Sequence, residues 1–178
     1  MKRLLCVVLI CVLLTGCVYE VNSISELELS YNGDEVSFPV NLGVFTDDGW
    51  YLFCKEANGD LVLLNDKYEN VTIYAYAPDY IDGELSEVDV LKVTFDYGFD
   101  CESYPNVLLF NKIGFGVSYE DIVSVLGEPK GISVDFNDTS EYWFLSFHEE
   151  TGEVIEAVFA NGYLRSIGID VSEVNKGR

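Results

Sequence analysis

Histidine occurs once in this chain, at His148, and ten basic residues face 31 acidic ones. Each scarcity removes a class of chemistry. A triad built on His148 would need Cys54, Cys101 or a serine brought beside it, and no Gly-x-Ser-x-Gly elbow presents such a serine. Zinc is disfavoured, because the chain has neither a Cys-x-x-Cys pair nor a histidine-rich ligand set. No glycine-rich phosphate loop is present, and no cofactor is expected. The net charge of −21 disfavours nucleic acid, whose phosphates need lysine and arginine, and repels anionic lipid headgroups. Nor does the chain contain an apolar run of about 20 residues, the length that spans a bilayer as a helix.

What is present begins with a shorter apolar run, Leu4 to Leu14, preceded by Lys2 and Arg3 and closed by Leu14-Thr15-Gly16-Cys17. Its length of about 11 residues is that of a signal-peptide core. The closing tetrapeptide reads as a bacterial lipobox: small residues at Thr15 and Gly16 admit the peptidase, and the Cys17 thiol takes the diacylglycerol. The expected organisation is a signal peptide over residues 1–16, a polar tether over 17–25 and a lipid on Cys17 holding the chain to the extracytoplasmic face of a cell membrane. Loss of Lys2 and Arg3 would carry the net charge from −21 to −23, so acyl chains and not a basic patch must supply membrane attachment. Export also permits a disulfide. With Cys17 committed to lipid, Cys54 and Cys101 are the pair left to form one, the alternative being two free thiols.

Abundant tyrosine and phenylalanine indicate a folded core. Leu27, Leu29 and Tyr31 before Asn32-Gly33, and Val36, Phe38 and Val40 after it, have the period of a β-hairpin around a tight turn. Pro39 belongs at a strand end, and the spacing of Leu42, Val44 and Phe45 predicts a short helix between Asn41 and Asp48. Strands are predicted at 50–54, 61–64, 71–77 and 88–95, and a join between halves near Tyr104. Ser118 as N-cap, Asp121 three residues on, Val117 placed to staple Ile122, and Gly127 with Pro129 mark both ends of a second helix. Strands follow at 141–148, 154–160 and 163–169, the last two joined by Asn161-Gly162.

The order Gly114-Phe115-Gly116-Val117-Ser118, helix, Leu126-Gly127-Glu128-Pro129, Tyr142-Trp143 strand and Asn-Gly hairpin resembles the helix-plus-meander unit of the BamE (SmpA/OmlA) lipoproteins and of the β-lactamase inhibitor protein BLIP. The resemblance covers about residues 112–170, with a fainter echo in the first half. It implies an α+β fold of short helices packed on antiparallel β-meanders, in one unit or two tandem BLIP-like units. The divisions expected are a mainly β unit over 26–104, an α+β unit over 105–171 and a polar tail over 172–178.

Alternation along Tyr142 to Phe147 places Trp143, Leu145 and Phe147 on one face of a strand, with Tyr142, Phe144 and Ser146 on the other. One face covers the helix. The resemblance implies that the other meets a protein partner, which makes Tyr142, Trp143, Phe144 and Phe147 the aromatics to watch. The expected function is therefore a lipid-anchored protein-binding or scaffold module without catalysis. Two other classes stay open: an envelope hydrolase using paired carboxylates, and a lipoprotein that captures a solute or cation. For the last, Asp135 to Glu141 offers oxygen ligands without EF-hand spacing and reads first as a polar loop. The Asn70-Val71-Thr72 and Asn137-Asp138-Thr139 sequons carry little meaning in a bacterial product.

Overall fold

The computed structural model describes residues 27–98, 101–136, 140–148 and 152–173. Cys17, the signal segment, the tether, the Asn137-Asp138-Thr139 sequon and most of the polar tail lie outside them. Period-two alternation dominates the described chain, and thirteen strands result. They are β1 (Leu29–Tyr31), β2 (Asp34–Val36), β3 (Val40–Asn41), β4 (Tyr51–Lys55), β5 (Asp60–Leu64), β6 (Val71–Tyr76), β7 (Asp89–Val90), β8 (Lys92–Tyr97), β9 (Val107–Leu109), β10 (Gly131–Phe136), β11 (Glu141–His148), β12 (Val154–Ala160) and β13 (Tyr163–Asp170). Two α-helices, α1 (Gly43–Thr46) and α2 (Tyr119–Leu126), complete the regular structure of the described residues with a 3-10 turn over Leu85–Glu87.

This is a correction to the α+β expectation of helices on meanders in tandem units. The molecule is a β-rich fold around one eight-stranded antiparallel sheet in the order β10-β11-β12-β13-β8-β6-β5-β4. The physical reason lies at the centre. β8 and β13 pair from Ser166↔Asp96 to Asp170↔Lys92, so the backbone edges of the two meanders satisfy each other and a continuous ladder replaces two separate sheets. The helices are also too short to form a layer, four residues in α1 and eight in α2.

Along the sheet one side chain in two is buried: Val71, Ile73 and Ala75 on β6, Val93, Phe95 and Tyr97 on β8, and Ile155, Ala157 and Phe159 on β12. They share one apolar cluster with residues of α1, α2 and the small β2-β1-β9 sheet. Phe45 of α1 is fully buried and meets Tyr31 edge-on at 5.2 Å and Phe95 at 5.7 Å. From α2, Ile122 is fully buried, and Tyr119 packs against Trp143 and Phe159 at 5.4 and 6.2 Å. Nothing regular covers the opposite side of the large sheet among the described residues.

Local signals explain the turns and caps. Asn32 and Gly33 take φ of 52° and 95°, and Asn161 and Gly162 take 53° and 85°, the paired left-handed conformations of a type I′ hairpin turn. At α2 the Asp121 amide donates to Ser118 Oγ at 3.2 Å while the Ser118 amide donates to Asp121 Oδ2 at 3.3 Å, a reciprocal capping box. The helix expected between Asn41 and Asp48 is a single turn, because Asn41 joins β3 against Asp89. The strand expected at 88–95 is split in two at Leu91, and β9 and β10 are additions.

Candidate functional site

The open side of the sheet is composed of rows that run across the strands. One row reads Gly131, Ser146, Glu156, Gly168, Thr94, Tyr74, Val62 and Cys54, each residue the register partner of the next. The neighbouring row reads Ser133, Phe144, Val158, Ser166, Asp96 and Thr72. Small and hydroxyl-bearing residues therefore concentrate where β10 to β13 meet β8. A depression of about 480 Å³ lies there, with Phe144 and Val158 as apolar walls and Thr94, Ser133, Ser146 and Ser166 among its lining.

Two glycines make the depression what it is. Gly131 and Gly168 sit in strands without a positive φ, so no backbone strain calls for glycine at either position. A methyl group built on Gly168 would stand 2.8 Å from Thr94 Oγ1, and one on Gly131 would stand 2.5 Å from Ser146 Oγ. Gly131 opens β10, whereas Gly168 lies inside β13, where a glycine weakens a sheet and marks a place where another group approaches the backbone closely.

Charge on this side is unbalanced toward acid. Lys92 pairs with Glu156 at 3.5 Å and with Asp170 at 3.8 Å, one cation between two carboxylates. Asp96 is half-buried beside Thr94 and Ser166, and burial raises its carboxyl above the ordinary range. Tyr74, across from Thr94, is raised in the same sense by burial and then by the Asp96 charge.

The four aromatics singled out in sequence divide between the two sides. Phe144 is 43% exposed and walls the depression, and Tyr142 shares its face, half-buried opposite Asp135. Trp143 points the other way, its Nε1 donating to Glu141 Oε1 at 2.7 Å while its ring rests on Tyr119. Phe147 is buried in the core and has no surface to offer a partner.

Cys54 and Cys101 are free thiols. Cys54 ends the open-face row on the edge strand β4, whereas Cys101 packs beside the core, near Tyr97, and donates to the Ser103 carbonyl at 3.2 Å. Burial pushes the Cys101 thiol upward, against a smaller opposing pull from Arg165. His148 closes β11, its backbone in register with Val154. No group of three or more His, Cys, Asp or Glu side chains assembles as a metal site among the described residues.

A polar network runs from the buried Trp50 and Tyr31 side chains out to the surface at Asp48. Trp50 Nε1 donates to the Tyr31 hydroxyl at 2.7 Å, and that hydroxyl donates to Asp48 Oδ2 at 2.6 Å. Asn32 adds a hydrogen bond to the same carboxylate oxygen at 3.0 Å, and Lys67 an ion pair at 3.7 Å. Every neighbour of Asp48 in it is a donor or a cation, so the network locks β1, α1 and β4 together without forming a carboxylate pair.

No family model, curated protein or solved structure matches the chain. Sequence reasoning missed Gly131, Gly168, Thr94, Asp96 and Ser166. The one signal available was Gly168 interrupting an apolar alternation, the mark of a close backbone approach inside a strand.

Proposed function

We propose that this chain is a membrane-anchored, extracytoplasmic binding module that engages a protein partner through the open side of its eight-stranded sheet. The observation that carries this reading is the depression beside Phe144, an apolar wall over a floor of glycine and hydroxyl-bearing side chains on a sheet face that no helix among the described residues covers. Such a face combines desolvatable aromatic area with unfilled hydrogen-bonding capacity, the two ingredients of a protein interface core. The likeness of residues 112–170 to the BamE and BLIP helix-plus-meander unit points the same way. Anchoring follows from the Leu14-Thr15-Gly16-Cys17 motif, and no helix among the described residues is long and apolar enough to cross a membrane.

The test is retention of a partner from solubilised membranes by the full chain, by Phe144→Ala and by Tyr51→Ala, the last lying on the distant edge strand β4. A protein retained by the native chain and by Tyr51→Ala but lost by Phe144→Ala supports the reading. Repeated recovery of no partner, or of one indifferent to Phe144, overturns it.

A further inference from the structure

Within that binding reading, the chemistry of the depression specifies what enters it. We propose that the cavity takes the cationic side chain of a partner protein, arginine in preference to lysine. The inference rests on charge complementarity and on the shape of the floor.

Lys92 is held at the cavity's edge by Glu156 and Asp170, one cation between two carboxylates, which leaves negative charge in excess among these groups before Asp96 is counted. An anionic occupant would meet Glu156 directly, since that residue lines the cavity. A purely apolar occupant would strip water from Ser133, Ser146, Ser166 and Thr94 and return no hydrogen bond, leaving each of those groups unpaired. A cation on an apolar stem avoids both penalties. Its stem lies against Val158, its charge against Glu156, and its N–H groups reach serine hydroxyls that accept.

Arginine fits better than lysine for three reasons. A planar guanidinium stacks on an aromatic face, and Phe144 supplies one that is 43% exposed. Its donors spread in a fork, matching acceptors distributed over three strands, β10, β11 and β13, at Ser133, Ser146 and Ser166. It is also less strongly hydrated than an ammonium group, so less is lost on entering a site floored by glycine. Gly131 and Gly168 then have a purpose: they leave room for the Ser146 and Thr94 hydroxyls, which lie 2.5 and 2.8 Å from where a β-carbon would stand, and so keep those acceptors on the cavity floor. The net charge of −21 attracts a basic partner at long range, and weakens with salt as the Debye length contracts.

The experiment uses the isotopically labelled full chain in detergent and follows backbone amide shifts. N-acetyl-arginine methylamide is titrated against its lysine counterpart and against the citrulline counterpart, which keeps the shape of arginine but carries no charge. Saturable shifts centred on Gly131, Ser146, Val158 and Gly168 are expected with arginine, smaller ones with lysine, and affinity about tenfold lower with citrulline. Glu156→Gln, at an exposed carboxylate, and Phe144→Ala should each weaken arginine binding about tenfold without disturbing distant amides. Equal response to citrulline, shifts centred elsewhere, or no saturable shift overturns the assignment. If arginine fails while the native chain still retains a partner that Phe144→Ala loses, the cationic occupant is wrong and the binding module stands; if both fail, both fall.

Discussion

Replacing Tyr31 by phenylalanine removes one oxygen atom and leaves the ring that packs edge-on against Phe45. That oxygen accepts from Trp50 Nε1 and donates to Asp48. Asp48 keeps Asn32 and Lys67 as partners, so its loss is partly compensated. Trp50 is 2% exposed, and its N–H is left buried without an acceptor. An orphaned buried donor costs about 1–3 kcal/mol, and the lost bond to a carboxylate adds to this, giving an expected destabilisation of about 2–3 kcal/mol. With a urea slope of about 2 kcal/mol per molar, the midpoint should fall by about 1 M at neutral pH, read by tryptophan fluorescence and circular dichroism together.

The same hydroxyl adds a pH signature. Burial first, and then the bond to Asp48, raises the Tyr31 pKa far above its ordinary 10.0. The unfolded chain therefore releases this proton first, so the stabilisation is complete below pH 10 and declines as pH rises beyond it. Tyr31→Phe should show a shallower decline above that pH than the native chain. A midpoint within experimental error of the native value, with an unchanged alkaline limb, would refute the network as a structural lock.

Further outcomes follow from other particulars. Ser118→Ala opens the capping box of α2 and should cost about 1 kcal/mol in urea unfolding, with little effect from a substitution such as Glu120→Gln outside the box. Asp96→Asn should stabilise the fold at neutral pH, because burial disfavours the ionised carboxylate; the gain should shrink as pH falls through the raised carboxyl pKa and vanish below the ordinary value of 3.8, which unfolding curves across that range would show. A maleimide should label exposed Cys54 well before half-buried Cys101, whose thiol is pushed up by burial, and mass spectrometry of timed digests measures the two separately.

How far the sequence foretells the molecule depends on the range of the interactions involved. Asn32-Gly33, Asn161-Gly162 and the Ser118 capping box are encoded within a few residues, and the structure forms all three. The alternation of Tyr142 to Phe147 likewise sorts Leu145 and Phe147 into the core and Phe144 outward. What escapes is non-local. Pairing of β8 with β13 joins residues seventy or more positions apart, and no periodicity in either strand names the other as its neighbour. β9 eludes a reading of the chain for the same reason: Val107-Leu108-Leu109 is too short to signal a strand until β1 lies beside it. β10 does carry a signal, the alternation of Ile132, Val134 and Phe136, but Gly131 following Pro129 reads as turn material and masks its start. The open-face depression depends on the β8–β13 pairing and on β10 together. Gly131, Gly168 and Thr94 come together only once β10 and β8 are placed on either side of the second meander.

The claim that the open side of the sheet is the working surface is tested most directly by photo-cross-linking in cells that make the protein. A photoreactive residue is placed at Ser133, on the rim of the depression, and in parallel at Ser124, on the exposed surface of α2. A discrete cross-linked species from Ser133, absent from Ser124 and abolished by Phe144→Ala in the same chain, is the predicted result. Cross-links of equal yield from both positions, or from Ser124 alone, would contradict the assignment of function to this face.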